Sequence, residues 1–314
     1  MGPSDVAGVF SRYFIVGFFL PAFFVLVLLT QALTAEFVPN AYEGVSDGAK
    51  IAVLGGAGLL LGLILLGLNW QITRAYEGYP LASRRRRHLF GPLHDLLLKR
   101  QENGYDQLRR DYARPTATGA ERAAAAWRLD REFPPERDEL LPTRFGNAVL
   151  AFERHAWVRW GLDSVVVWPR INLLLSDHEA EQQTNARGEV AFFVNASLLL
   201  AIAAVYLAVD AVENTPLTGF EHLVYVIPFV LVLLLARWAV GAAARWGNVI
   251  RAAIDLHRLD LYKKLGVRRP DSFTKEREQL APAINAALVY GRPPIPDTFF
   301  DSEADSIQEE DENG

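Results

Sequence analysis

Lys50-Ile-Ala-Val-Leu-Gly-Gly-Ala-Gly58, continuing as LLLGLILLGLNW to Trp70, admits two readings. A short apolar run entering clustered glycines, with Glu77 about 20 residues on, is the outline of a strand, phosphate loop and ribose-binding acid. The same residues describe a membrane helix whose glycines let a neighbouring helix come close. The dinucleotide reading needs an amphipathic helix after the loop and a second strand carrying the acid. Ile51 to Trp70 is instead apolar all round except for Asn69, and Glu77 sits among Arg74, Tyr76 and Tyr79. The stretch therefore reads as a membrane span, with Gly58 and Gly62 forming a G-x-x-x-G packing step flanked by Gly55 and Gly67.

Three further blocks share this character. Tyr13 to Ala35 and Ile51 to Thr73 each carry 23 residues without a charge, and Val190 to Val209 adds 20. At 1.5 Å per residue each can cross a hydrocarbon core of about 30 Å. The fourth, Leu223 to Ala236, reaches full length when Gly219–His222 and Trp238–Val240 are added, with Arg237 at its rim. Arg74, Arg84, Arg85, Arg86 and Arg87 follow the second block, and Arg245, Arg251, Arg258, Lys263 and Lys264 follow the fourth. The loop after the third block holds Asp210, Glu213 and Glu221 and no cation. The positive-inside rule then puts both termini in the cytoplasm of a plasma-membrane protein. Trp70, Trp238 and Trp246 suit interfacial belts. The first block is too long for the core of a cleaved signal peptide, and Met1-Gly2-Pro3 does not meet the myristoylation pattern.

The expected architecture is all-α: a polytopic membrane protein with four transmembrane helices and a helical cytoplasmic domain. In order, the expected parts are a cytoplasmic N-terminus (1–12), spans 13–35 and 51–73 around an external loop (36–50), and a cytoplasmic helical domain (74–188). Spans 190–209 and 219–240 follow around an external loop (210–218), then a basic helical segment (241–292) and a disordered acidic tail (293–314). Capping boxes at Thr118–Glu121, Ser176–Glu179 and Thr218–Glu221 mark helix starts, the second opening a helix that runs on into span three. The fourth span's helix is expected to continue inside. Val165-Val-Val167 is the one β-branched run. The net charge of −5 conceals a mildly basic body, because residues 297–314 hold eight acidic groups and no Lys or Arg.

Chemistry-bearing motifs are few. Cysteine is absent, which excludes disulfides and thiolate metal sites. No nucleophile elbow, Walker loop or zinc-ligand spacing occurs, so no catalytic residue, metal or cofactor is expected. Acid–His neighbours at His94-Asp95, Glu153/His155, Asp177–Glu181 and around His257 read as surface groups. No ionisable residue lies mid-span, which disfavours proton pumps and ion-coupled transporters. The most distinctive sequence is Leu141-Pro-Thr-Arg-Phe-Gly-Asn147, then Arg159-Trp-Gly-Leu-Asp163 and Trp168-Pro-Arg-Ile171. It reads chiefly as a core helix pair, with Thr143 as a cap, Gly146 for close packing and Pro169 in a first helical turn. Arg144, Arg159, Trp168 and Arg170 are its candidate headgroup or anionic-ligand residues. Arg84, Arg85, Arg86 and Arg87 form a candidate lipid-facing cluster.

This set resembles a pattern of uncharacterised bacterial four-span integral membrane proteins: PTR-x-GN, an aromatic-Gly-hydrophobic-Asp step, then WPR. The resemblance covers about 30 residues, Leu141 to Ile171, and implies no particular activity. The functional expectation is a non-enzymatic, membrane-anchored interaction or regulatory module. Its partners would be membrane lipids, a second copy joined through Gly58 and Gly62, and a protein engaged by the cytoplasmic part; nucleic acid is not expected. Asn69 and Asn195, at similar depth, are expected to pair between spans two and three. One alternative is an oligomeric channel or solute pathway lined by Gln31, Asn195 and Ser197. Another is a membrane-bound enzyme, which requires His94, His155 or His178 to converge with carboxylates.

Overall fold

The structure, a computed structural model, describes residues 11–33, 46–82, 87–214, 222–291, 295 and 297–300. Among them it is helical throughout, apart from one isolated bridge between Val267 and Phe300. The first helix, α1, runs as Arg12–Phe14, a π turn at Ile15–Phe19 and Leu20–Leu33 in succession. There follow α2 (Asp47–Gly67), α3 (Asn69–Glu77), α4 (Tyr79–Ala82), α5 (Arg87–Ala113) and α6 (Gly119–Glu132). Short helices α7 (Arg144–Glu153), α8 (His155–Trp160) and α9 (Ser164–Ile171) lead to α10 (Asp177–Asn214) and α11 (His222–Lys264). The last, α12, comprises Phe273–Lys275, a π turn at Glu276–Leu280 and Ala281–Tyr290.

Four helices are long and apolar enough to cross a membrane: Arg12–Thr30, Asp47–Gly67, Asp177–Val209 and Val226–Lys264. Two run far past their apolar stretches, α10 and α11 reaching 38 and 43 residues. Local chemistry explains the starts. Thr118 and Glu121 form a reciprocal capping box, as do Ser176 and Glu179, whose carboxylate takes the Ser176 N–H at 2.9 Å. α2 begins earlier than residue 51, because Ser46 Oγ accepts the Ala49 N–H at 3.3 Å and Asp47 favours the first turn. A turn residue, Leu68, then separates α2 from α3, so the expected uninterrupted span 51–73 is two helices. Val165-Val-Val167 is helical, and Pro169 lies inside α9, not in its first turn. The capping box at Thr218–Glu221, residues 36–45 of the first expected external loop and 215–218 of the second lie outside the described residues, while 210–214 of the second belong to α10.

The chain divides into two compact units that do not follow its order. One comprises Met1–Leu96, Leu141–Gly146 and Thr184–Trp246; the other comprises Leu97–Leu140, Asn147–Gln183 and Gly247–Gly314. The domain expected at 74–188 is therefore shared between them, and the segment after residue 246 belongs with residues 97–140.

In the first unit, Gly58 and Gly62 are buried against α1. A Cβ at Gly58 would stand 3.3 Å from Phe23 Cα, and one at Gly62 would stand 3.2 Å from Phe19 Cα. The face expected to join two copies is thus taken up within the chain. On the other side of α1, a Cβ at Gly17 would meet Ala191 Cβ at 2.9 Å. Pro21 has no N–H to offer its i−4 residue, Gly17, and Asn195 Nδ2 supplies one across the helix pair at 2.8 Å. Asn195 therefore bonds to Gly17 and not to Asn69. Ser197, like Asn195 fully buried, meets the Tyr76 hydroxyl at 2.7 Å. Neither residue lies on an open face where a shared lumen would form, and the Gln31 side chain is outside the description. Phe24, Leu60, Ile202, Val205, Phe229 and Leu233 open outward.

The second unit has a small core of Tyr105, Leu108, Phe133 and Leu140. Tyr105 and Phe133 meet edge to face at 5.7 Å. The acidic tail was expected to be disordered from residue 293. Its first part is instead tied down: Asp297–Phe299 form a 3₁₀ turn, and the Arg268 N–H donates to Phe299 O at 2.7 Å.

Candidate functional site

The distinctive motif turns out to be two pieces of packing chemistry. In the first unit, Thr143 Oγ1 donates to Tyr76 O at 2.7 Å and accepts the Gly146 N–H at 3.0 Å, capping α7. A Cβ at Gly146 would overlap the Glu77 carbonyl oxygen, and Phe145 sits edge-on to Tyr76 at 6.1 Å. Gly78, with φ +91°, ends α3 in the left-handed region against Pro142. Leu141–Gly146 is therefore a clamp on residues 76–78. Glu77 is buried inside this clamp; burial raises its carboxyl pKa above the ordinary value, partly offset by Arg74 Nη1 at 3.3 Å.

In the second unit, Gly161 takes φ +77° and closes α8. Asn285 straddles the turn, donating to Gly161 O at 2.8 Å and accepting the Asp163 N–H at 3.0 Å. Asp163 caps α9 through the Val165 N–H at 2.9 Å. Arg170 folds back on Val166 O of its own helix at 2.9 Å, and Trp168 is half-buried. Arg144 is exposed on the other unit. Of these candidates, Arg159 lines a cleft in the second unit.

That cleft has a volume of about 460 Å³. Its walls are Tyr105, Leu129, Phe133, Pro134, Pro135 and Val158, and its polar groups are Arg109, Arg154, Arg159, Asp130 and His155. The Tyr105 hydroxyl pins Pro135 O at 3.0 Å, holding the wall in place. Arg154 is paired with Glu139 at 2.5 Å. Arg251 neutralises Asp130, contacting its carboxylate and its carbonyl, and also donates to Ala151 O at 2.9 Å. Arg109 lies over Tyr105 at 5.8 Å and Arg159 over Trp160 at 5.3 Å. Neither has an ion-pair partner among the described residues. The cleft therefore carries net positive charge, and its guanidinium groups suit carboxylate or phosphate oxygens beside an apolar or proline-rich wall.

A partly buried polar network backs the cleft. Asp255 receives Trp160 Nε1–H at 2.5 Å and lies 3.2 Å from His155 Nε2. Arg258 stacks on Trp160 at 3.5 Å and donates Nε–H to Glu276 at 2.9 Å; the Tyr262 hydroxyl donates to the same carboxylate at 3.0 Å. His155 and Asp255 are 100 residues apart in the chain, and no spacing rule joins them. His94 has a carboxylate only in its neighbour Asp95, at 3.0 Å, and His178 meets Gln182. No Ser, Thr or Cys lines the cleft, and no cluster of three metal-ligating groups occurs among the described residues. Arg84–Arg86 and the Arg87 side chain lie outside the described set.

No protein-family model matches the chain, and neither a curated protein nor a solved structure matches it.

Proposed function

We propose that the chain is a multi-pass plasma-membrane protein, with both termini inside, acting as a non-enzymatic interaction module. Its second unit docks an acidic, partly apolar segment of a protein partner in the arginine-lined cleft. The membrane part rests on four apolar helices with outward-facing Phe, Leu, Ile and Val, and on cations concentrated in two of the connections. The observation that carries the docking reading is Arg109 and Arg159, without carboxylate partners, beside the Tyr105–Phe133–Pro135 wall. Guanidinium groups on aromatic faces are favoured anchors at protein interfaces. The motif resemblance to bacterial four-span membrane proteins is compatible with this reading and adds no activity to it.

A photo-crosslinking residue at Val158 tests it in intact cells. The expected result is one discrete adduct that disappears in Arg109→Glu/Arg159→Glu while the protein stays in the membrane pellet. An adduct indifferent to the double charge reversal would refute the docking reading.

The His155–Asp255 pair favours a second reading, a membrane-bound enzyme with His155 as proton carrier at the cleft wall. Turnover of an anionic substrate, abolished by His155→Gln while the Val158 adduct persists, would select it.

A further inference from the structure

α5 turns an apolar patch outward at its start. Phe90, Leu93 and Leu96 are exposed at three-residue intervals, Leu96 to 67%, and Pro92 is exposed beside them. At about 100° per residue the three occupy roughly a third of the helix circumference. Tyr105 and Gln101, on the side opposite Leu96, are buried. One turn beyond Leu96 its side of the helix carries Lys99 and Arg100, both exposed, and then Asn103 and Gln107. The outward surface is thus apolar for three turns, then cationic, then neutral and polar. Resting on the membrane reading above, we propose that the first three turns of α5 lie on the inner leaflet. Leu93 and Leu96 enter its acyl layer, and Lys99 and Arg100 meet the phosphates of anionic lipids.

Continuity with the spans is the first argument. Phe90–Leu96 fall in the same compact unit as α1 and α2. The 21 residues of Asp47–Gly67 rise about 31 Å, so Gly67 completes one crossing of the hydrocarbon core. The residues after it have the character of an interface. Trp70 is exposed, and the Arg74 guanidinium lies over its ring at 5.6 Å and over the Tyr79 ring at 3.8 Å. Tyr79 opens α4, eleven residues before Phe90. The chain is therefore at headgroup depth shortly before the patch begins.

Charge is the second. In the sequence Arg84-Arg85-Arg86-Arg87 precedes the patch and Lys99-Arg100 follows it, so cations bracket the apolar residues. Long cationic side chains at such flanks reach the phosphates while their stems stay in apolar surroundings. The one acid between these cations, Asp95, meets His94 Nδ1 at 3.0 Å and lies about 100° round the helix from Leu96. Large apolar side chains on one face with cations around them are the composition of a helix that lies on a membrane, not across it. The lipid contact expected of Arg84–Arg87 is thereby extended along the helix that follows them.

The chain has no cysteine, so a single-cysteine variant carries a spin label at one place only. Power-saturation EPR of the full chain in nanodiscs of phosphatidylglycerol and phosphatidylcholine compares labels at Leu96→Cys, Asn103→Cys and Leu60→Cys. The label at 96 is expected to meet oxygen in preference to a water-soluble nickel chelate, at about 5–10 Å below the phosphates. The label at 103 is expected to show the reverse preference. Pure phosphatidylcholine, or Lys99→Glu/Arg100→Glu in the Leu96→Cys chain, is expected to shift the label at 96 toward water. Circular dichroism checks that the double variant is folded; if it is not, the lipid exchange alone decides. A label at 96 as open to the chelate as that at 103 overturns the proposal, as does one shielded from both reagents. A depth that ignores the lipid exchange, or the folded charge reversal, also overturns it. Leu60, exposed within α2, tests the membrane reading itself. If its label meets the chelate, that reading fails; if it is in lipid while 96 is in water, only this inference fails.

Discussion

The second and third apolar helices are almost equally apolar and each is long enough to cross a bilayer, yet they are packed very differently. Of the apolar window in Asp47–Gly67, 17% is buried; in Asp177–Val209 the share is 56%. α2 offers its neighbours a narrow glycine strip and turns Ile51, Val53, Leu60 and Ile64 outward. α10 is more than half buried along its apolar stretch, and it is the helix that carries Asn195 and Ser197. The contrast shows that hydropathy reports the solvent a helix tolerates and says little about its neighbours. A polar amide inside an apolar helix is tolerable only where another chain segment meets its hydrogen bond, as Gly17 O does here.

Substitutions probe this difference at sites of graded closeness. The largest effect is expected at Gly146→Val, because backbone, not a movable side chain, stands in the way of a Cβ. A loss of about 3 kcal/mol or more, read as collapse of the detergent unfolding midpoint, is expected; an unchanged midpoint would mean the clamp on Glu77 does not exist. Next is Arg251→Ala in the second unit, which leaves the buried Ala151 O without its donor while Asp130 stays solvated, and should cost about 1–3 kcal/mol. Limited proteolysis of the second unit reads that loss. Gly62→Val, against the Phe19 backbone, should cost about 1–3 kcal/mol, whereas Gly55→Val, with nothing within 4 Å, should leave stability unaltered. Equal effects at the two glycines would contradict the intramolecular α1–α2 seam. Asn195→Leu removes the bond to Gly17 and should cost about 1 kcal/mol, with Asn69→Leu close to neutral.

The smallest effect concerns pH. Glu77 has a folded pKa raised above its unfolded one, so the folded state holds the proton more tightly. Its contribution is complete below the ordinary glutamate pKa and fades as pH rises through the raised value. Over that interval the unfolding midpoint of wild type should therefore fall relative to that of Glu77→Gln, the rise given by carboxylates that partners hold low, such as Glu179, being common to both proteins. An identical pH profile in both proteins would show that Glu77 is not buried in the clamp.

What could be read locally was read. The caps at Thr118 and Ser176 involve partners three residues away, so the sequence displays both halves; Ser46 with Asp47 was an equally local signal and marks the true start of α2. Thr143 and Gly146 were recognised as a cap and a packing glycine, but not their target, because Tyr76–Gly78 lies far upstream. Arg159 was nominated and reaches a cleft. His155 is singled out by the sequence but its partner Asp255 is not, and nothing local marks Arg109 or Arg154, since helices hide which of their faces will meet.

From composition and periodicity alone follow the helical class, the four apolar stretches and the place of several helix starts, those after Thr118, Thr143 and Ser176 among them. These depend on the chain's affinity for its solvent and on hydrogen bonds spanning one turn. Tertiary structure alone decided which glycines touch another backbone, which arginines keep a carboxylate, and where a cleft opens. Those outcomes depend on groups brought together from 15 to 178 residues apart, and no local free energy encodes such a meeting.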